Sequence, residues 1–156
     1  MDSLSLYDRD FYLWTRAQAE ALRRLRELRP NGELDWDNLI EEVESLGRSD
    51  RYAVESQLER LIHHLLKLEH SPAVDPRRGW LVTVDDARTE LARRLSTSLK
   101  AHLADTLAER YRIARRAAER DLAGEVAPDR LPPACPYSLD HLLDPDWLPD
   151  GRPGPG

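Results

Sequence analysis

The chain has 156 residues, of which 40% are hydrophobic and 33% are charged, and its net charge at neutral pH is −6. This length is typical of one domain with its own core, and the composition is typical of a soluble helical protein with charged outer faces. The acidic balance disfavours nonspecific nucleic-acid binding, which needs lysine and arginine to neutralise phosphates.

The sequence also gives an expectation for the compartment. Cys135 is the one cysteine, so it cannot form a disulfide within the chain. Acidic residues interrupt the apolar runs near the N-terminus, and no stretch reaches the ~18 to 20 apolar residues of a membrane span. We therefore expect a cytoplasmic protein without membrane contact.

The first predicted helix covers residues 8–29, from Asp8 as N-cap to the turn at Pro30. Apolar side chains recur along it at steps of three and four residues, which indicates one inward-facing stripe. The stripe consists of Phe11, Trp14, Gln18, Ala21, Leu22, Leu25 and Leu28.

The central segment has the longest run of regularly spaced apolar residues and the highest density of acidic residues. Between Glu33 and Glu59 there are nine acidic and two basic residues, so the local charge is −7. Two helices are predicted here, over 35–47 and 49–70, because Gly47 costs about 1 kcal/mol inside a helix and Ser49 suits an N-cap. One bent helix also fits the pattern, and we favour two.

Two more helices are predicted over residues 84–96 and 99–123, and the second has the cleanest apolar stripe in the chain. From Val126 the chain is rich in proline but still apolar, so we expect an extended strap that lies across the helices. The sequence thus predicts an all-α, single-domain bundle of four to five helices over residues 1–149. Residues 150–156 are predicted to be a mobile tail.

Motifs along most of the chain match one known pattern. The central match is NLIEEVESLGRS at 38–49, followed by HLLK at 64–67. Shorter matches occur at Tyr7-Asp8, Asp10-Phe11-Tyr12, Trp14-Thr15, Gln18-Ala19, Trp80, Thr83, Arg88, Cys135-Pro136-Tyr137 and 144–149. The pattern resembles the bacterial family called domain of unknown function 29, over about residues 5–149. The resemblance implies an almost entirely helical fold and no activity, because none is assigned to the family.

Carboxylate and imidazole side chains form one candidate site. Glu55, Glu59 and His63 follow one another at four-residue steps, so they share a helix face. They could hold a divalent metal if another helix completed the ligand set. We favour the alternative, a solvated face in which Glu59 and His63 form a helical pair, and we expect no cofactor.

A second candidate site is the row of arginines on the predicted helix 99–123. Arg112, Arg115 and Arg116 could bind an acidic partner protein, including the central segment of another copy of the chain. The competing interpretation, which we favour, is that these arginines pair within the chain or with solvent.

The sequence contains no coherent catalytic set. Cys135 lies among prolines and an alanine, which is typical of a packed anchor rather than of an activated thiol. There is no Gly-x-Ser-x-Gly turn and no glycine-rich phosphate loop. We therefore favour a non-enzymatic protein-interaction module. The alternative is a metal-dependent or hydrolytic enzyme built on Glu55, Glu59 and His63.

Overall fold

The computed structural model describes residues 3–149, with side chains from residue 6 onward, and its regular elements are all helical. The elements are α1 (Ser3–Arg9), α2 (Phe11–Leu28), α3 (Trp36–His70), α4 (Arg77–Arg94), α5 (Thr97–Asp105), α6 (Leu107–Asp121), a 3-10 turn (Pro128–Arg130) and α7 (Leu139–Leu143). The all-α prediction is confirmed. The predicted tail at 150–156 lies outside the described residues. Among the described helices, none has the length and hydropathy needed to cross a bilayer.

Two compact units can be distinguished along the chain. The first contains the chain up to Ala53 together with Leu95–Ala101, and the second contains Val54–Arg94 and the chain from His102. Helices α3 and α5 contribute residues to both units.

Asp10 organises the start of the first unit. Its carboxylate caps α2 by accepting the Leu13 N–H at 3.0 Å, and it also accepts the Ser98 N–H at 2.9 Å and the Ser98 Oγ–H at 2.6 Å. The predicted cap at Asp8 is wrong, because Asp8 lies inside α1. One buried carboxylate therefore joins α2 to α5.

The predicted joint at Gly47 is also wrong. Helix α3 runs without interruption from Trp36 to His70. Gly47 faces α2, where a Cβ atom would overlap with the Thr15 Oγ1 and would lie 3.3 Å from the Thr15 Cβ. The glycine is therefore a packing residue rather than a helix break, because its missing side chain makes room for Thr15.

The predicted inward stripe of α2 is only partly correct, because its last two leucines are exposed. The half-buried members of the stripe are Phe11, Trp14, Gln18, Ala21 and Leu22. The buried residues of this helix are Thr15 and Ala19, whereas Leu25 and Leu28 are 45% and 76% exposed. The cause is the close approach at Gly47: α2 packs through Thr15 and Ala19, which turns Leu25 and Leu28 outward.

The second unit holds the larger core, and here the apolar stripes of the sequence are confirmed. The second half of α3 buries the leucine and isoleucine positions that the stripe predicts. The fully buried aliphatic residues of this unit that lie on helices α3 to α6 are Val54, Leu58, Leu61, Ile62, Leu65, Leu66, Val84, Ala87, Leu91, Leu103, Ala114 and Ala118.

Two helix limits in the second unit differ from the prediction. Helix α4 begins at Arg77 instead of residue 84, because Arg77 Nη1 donates to the Leu68 carbonyl at 2.7 Å and the Trp80 N–H reaches the Pro76 carbonyl at 3.1 Å. The predicted helix 99–123 is divided into α5 and α6 at Thr106, whose Oγ1 donates to the His102 carbonyl at 2.9 Å. Such back-bonding bends helices.

The segment 126–149, here called the strap, is packed as the sequence predicts. Leu131, Tyr137 and Leu142 are buried. The Tyr137 hydroxyl donates to Glu69 at 2.5 Å, and Arg88 donates its Nε–H to the Leu142 carbonyl at 2.8 Å. The strap is therefore held by hydrogen bonds as well as by its apolar side chains.

Candidate functional site: the arginine groove

Helix α6 and the strap form a groove of about 490 Å³. We call it the arginine groove, and it is lined by Ala108, Tyr111, Arg112, Arg115, Arg116, Glu119, Pro133, Ala134 and Cys135. All three arginines that the sequence singles out for partner binding line it. The groove lies within the second unit.

Helix α6 presents these arginines because its other face is apolar. Tyr111, Ala114 and Ala118 are buried at steps of three and four residues. Arg112 and Arg116 follow Tyr111 by one and five residues, and both are exposed. The helix period thus places two guanidinium groups together at the groove surface.

Arg115 has a structural role in the wall of the groove. It donates to three strap carbonyls, those of Pro128 at 3.1 Å, Leu131 at 3.1 Å and Pro132 at 2.9 Å. It also forms an ion pair with Glu119. Because the planar guanidinium has donors on several sides, one side chain can fix several carbonyls at once. Arg115 therefore shapes the groove.

Tyr111 supports the same stretch of the strap. Its hydroxyl donates to the Pro132 carbonyl at 2.5 Å, and burial raises the pKa of Tyr111 to about 12. The phenol is therefore protonated at neutral pH and acts as a hydrogen-bond donor to the strap.

Arg112 and Arg116 differ from Arg115. No ion pair joins either of them to an acidic side chain among residues 6–149, although both are exposed at the groove. Glu119 is engaged by Arg115. The unneutralised positive charge of the groove thus comes from Arg112 and Arg116.

Cys135 lies at the strap side of the groove and is half-buried. Its Sγ–H donates to the Tyr137 carbonyl at 3.4 Å, and burial raises the pKa of the thiol. A thiol that is harder to ionise is a weak nucleophile at neutral pH. These contacts support the interpretation of Cys135 as a packed residue.

The predicted metal ligands Glu55 and Glu59 both contact Arg110. Arg110 Nη1 lies 3.1 Å from Glu55 Oε2 and 2.6 Å from Glu59 Oε1, and the arginine is 7% exposed. His102 Nε2 adds a contact of 2.7 Å to the other oxygen of Glu55. Burial raises the pKa of Glu59, although Arg110 opposes the shift. A guanidinium therefore stands where the hypothesis would place a metal ion.

His63, the third predicted ligand, pairs elsewhere. Its Nε2 lies 2.8 Å from Asp121 Oδ2, an oxygen that also accepts from Lys67 Nζ at 3.0 Å. Burial lowers the pKa of His63, although Asp121 opposes the shift. In the described part of the chain, no group of three or more His, Cys, Asp or Glu side chains is arranged to hold a metal ion.

The sequence interpretation missed the buried role of Arg110. A signal for it exists, since Arg110 follows Leu103 by seven residues and precedes Ala114 by four, so it lies on the apolar row of the last helices. A charged residue on such a row needs a buried partner of opposite charge.

A crystal structure of an alpha-helical protein of unknown function from Rhodospirillum rubrum is similar over 90% of both chains, with a TM-score of 0.78 and 24% sequence identity. At this identity the likeness shows the fold alone. No curated protein matches the sequence. The sequence profile of the family described as "Domain of unknown function DUF29" matches residues 6–148. The chain therefore belongs to the DUF29 family, a family of unknown function.

Proposed function

We propose that the chain is a non-enzymatic protein-interaction module of the bacterial cytoplasm, and that its arginine groove binds an acidic segment of a partner protein. One observation carries the proposal. Arg112 and Arg116 lie one helix turn apart at a pre-formed groove, and neither has an acidic partner within the described residues.

The groove suits carboxylate side chains presented on a peptide. Guanidinium groups bind carboxylates through two parallel N–H···O bonds. Residues four apart on a helix are about 5–6 Å apart at their Cβ atoms, so Arg112 and Arg116 can contact neighbouring acidic residues of one segment. Pro133 and Ala134 supply an apolar edge beside them. Because Arg115 and Tyr111 fix the strap, little ordering is required when the partner binds.

A protein partner fits better than nucleic acid. The whole chain has a net charge of −6, which repels a polyanion whose binding depends on many phosphate contacts. A short acidic segment requires only the local field of two arginines.

The enzyme alternative has less support from the geometry. Glu55 and Glu59 both contact Arg110, so a metal ion would have to displace a buried guanidinium. The Cys135 thiol is half-buried, and its pKa is raised.

Affinity capture tests the proposal with a matched pair of variants. The tagged chain is used to capture proteins from a lysate of the organism that encodes it, and the captured proteins are identified by mass spectrometry. We expect Arg112→Glu with Arg116→Glu to lose a partner that the wild-type chain retains. The control is Arg78→Glu with Arg120→Glu, which changes the net charge equally at exposed positions of the same unit outside the groove.

The partner itself then decides the outcome. We expect it to contain an acidic segment, and a synthetic peptide of that segment should compete with it for the groove. Equal capture by the two double variants would contradict the proposal, as would a partner whose binding no acidic peptide competes.

A further inference from the structure

A row of exposed leucines marks one side of the hairpin that α2 forms with the first half of α3. Leu25 and Leu28 on α2 are 45% and 76% exposed, and Leu39 and Leu46 on α3 are 39% and 53% exposed. All four lie in the first unit. Monomeric soluble proteins rarely expose contiguous apolar surface of this kind without a function for it.

Two ion pairs between α2 and α3 help to show on which side of the hairpin these leucines lie. Arg23 pairs with Glu44, and Arg26 pairs with Asp37 at 2.7 Å, so both pairs bridge α2 and α3 along the same edge. Each of the four charged residues is followed, two positions later, by one of the exposed leucines. Two residues turn a helix by about 200°.

The contact between Gly47 and Thr15 marks the line along which the two helices touch. At about 100° per residue, the four charged residues lie on one side of that line and the four leucines on the other. We call the side with the leucines the leucine face.

From this face we infer that two copies of the chain pair through their leucine faces. Two helices that each present an apolar stripe on the same side form half of a four-helix bundle, and a second copy related by a two-fold axis supplies the other half. The face is self-complementary because the same four side chains meet on both sides.

The size of the face is sufficient for such an interface. Helix α2 has 18 residues, which gives a length of about 27 Å, and two adjacent helices are about 20 Å wide. The hairpin side therefore offers roughly 500 Å² per copy and roughly 1,000 Å² in total, which is the lower limit for a specific protein interface.

Charged residues at the edges of the leucine face favour an arrangement in which α2 of one copy packs on α3 of the second copy. Exposed Arg24 adjoins the leucines of α2, and exposed Glu42 lies between the leucines of α3. Neither forms an ion pair within residues 6–149. When α2 of one copy lies on α3 of the second, Arg24 approaches the acidic edge of the second copy. Packing of α2 on α2 would instead bring two arginine edges together, which like-charge repulsion disfavours.

Light scattering coupled to size exclusion tests the inference on the full chain. We expect the wild-type chain to have twice the 18.0 kDa mass of one copy. Leu25→Glu, and independently Leu46→Glu, should give a single-copy mass with unchanged helical circular dichroism. Leu13→Glu is the matched control, since Leu13 is 43% exposed on the same helix but precedes Leu25 by twelve residues, which turns it about 120° away around the helix axis.

Charge exchange tests the arrangement. Arg24→Glu should weaken the pairing by roughly tenfold, because it places like charges together, and addition of Glu42→Arg should restore it. A wild-type chain that remains a single copy throughout the micromolar range would overturn the inference, and so would equal masses for Leu25→Glu and Leu13→Glu. The result is independent of the arginine groove, whose variants should retain the double mass.

Discussion

Gly47 of α3 lies so close to Thr15 of α2 that a Cβ atom at position 47 would overlap with the threonine hydroxyl oxygen. The hydroxyl itself donates to the Tyr12 carbonyl at 2.7 Å, so it cannot rotate away without the loss of a hydrogen bond. This contact sets the distance between the two helices that carry the leucine face.

Glycine usually destabilises a helix relative to alanine, but the contact with Thr15 should reverse this order of stability at position 47. Gly47→Ala should destabilise the fold by about 1–3 kcal/mol through overpacking, and chemical denaturation measures the change. Gly79→Ala is the control, because a Cβ atom there meets nothing within 4 Å. This control should stabilise the fold by up to about 1 kcal/mol. A stabilising Gly47→Ala would show that the helices are farther apart than described.

Arg110 is predicted to be a charged residue whose loss strongly destabilises the fold. Arg110→Met leaves Glu55 and Glu59 without the cation that they share, and removal of one partner from a buried ion pair costs about 3 kcal/mol. Arg112→Met, two residues further on the same helix, should change stability by less than about 0.5 kcal/mol because Arg112 is exposed. Denaturant titration of both variants decides between a structural and a solvated Arg110.

Asp10 should make stability depend on pH in the acidic range. Burial raises the pKa of this carboxyl, but the hydrogen bonds from Ser98 and Leu13 outweigh it and hold the pKa below its usual value. A depressed folded-state pKa stabilises the fold above the unfolded pKa of about 3.9, and this stabilisation is lost as pH falls through the folded value.

The variant Asp10→Asn tests this pH dependence, because it removes the ionisable carboxyl. It should be about 1–2 kcal/mol less stable than the wild type at neutral pH, because an N-cap and a carboxylate acceptor are weakened together. The difference should shrink as pH falls below about 4. Unfolding free energies measured across this range check the sign, and a difference that grows toward acid would contradict it.

Arg115 should control access to Cys135. It fixes three strap carbonyls, and hydrogen bonds to a charged group are worth about 1.5–3 kcal/mol each. Arg115→Gln should therefore loosen the strap and accelerate alkylation of Cys135 by roughly tenfold or more. Arg112→Gln, which changes a groove arginine that holds no strap carbonyl, should leave the rate unchanged. Because the chain has one cysteine, the labelling rate reports this position alone.

Much of the fold follows from the sequence because local patterns determine it. The stripe through Leu58, Leu61 and Leu65 repeats at the helix period, and its residues are buried as that period predicts. Gly47 could not be interpreted in this way, because its role depends on Thr15, a residue 32 positions earlier on another helix. The outward turn of Leu25 and Leu28 follows from the same contact.

The candidate site was only partly predictable for a similar reason. The spacing of Arg112 and Arg116 gives their exposure on α6, whereas the role of Arg115 depends on carbonyls of a proline-rich segment without a helix period. Helix spacing also places Glu55 and Glu59 on one face. It does not show that the group they meet is the Arg110 guanidinium rather than a metal ion.

The most direct measurement is the affinity of the captured partner for three forms of the chain at two salt concentrations. We expect Arg112→Glu with Arg116→Glu to weaken binding by at least about tenfold, because the two new carboxylates repel the acidic segment that the arginines attract. Arg78→Glu with Arg120→Glu should bind as the wild type does, and added salt should weaken only the two forms that retain the groove arginines. Equal affinities for all three forms would contradict the assignment of the arginine groove as the partner site.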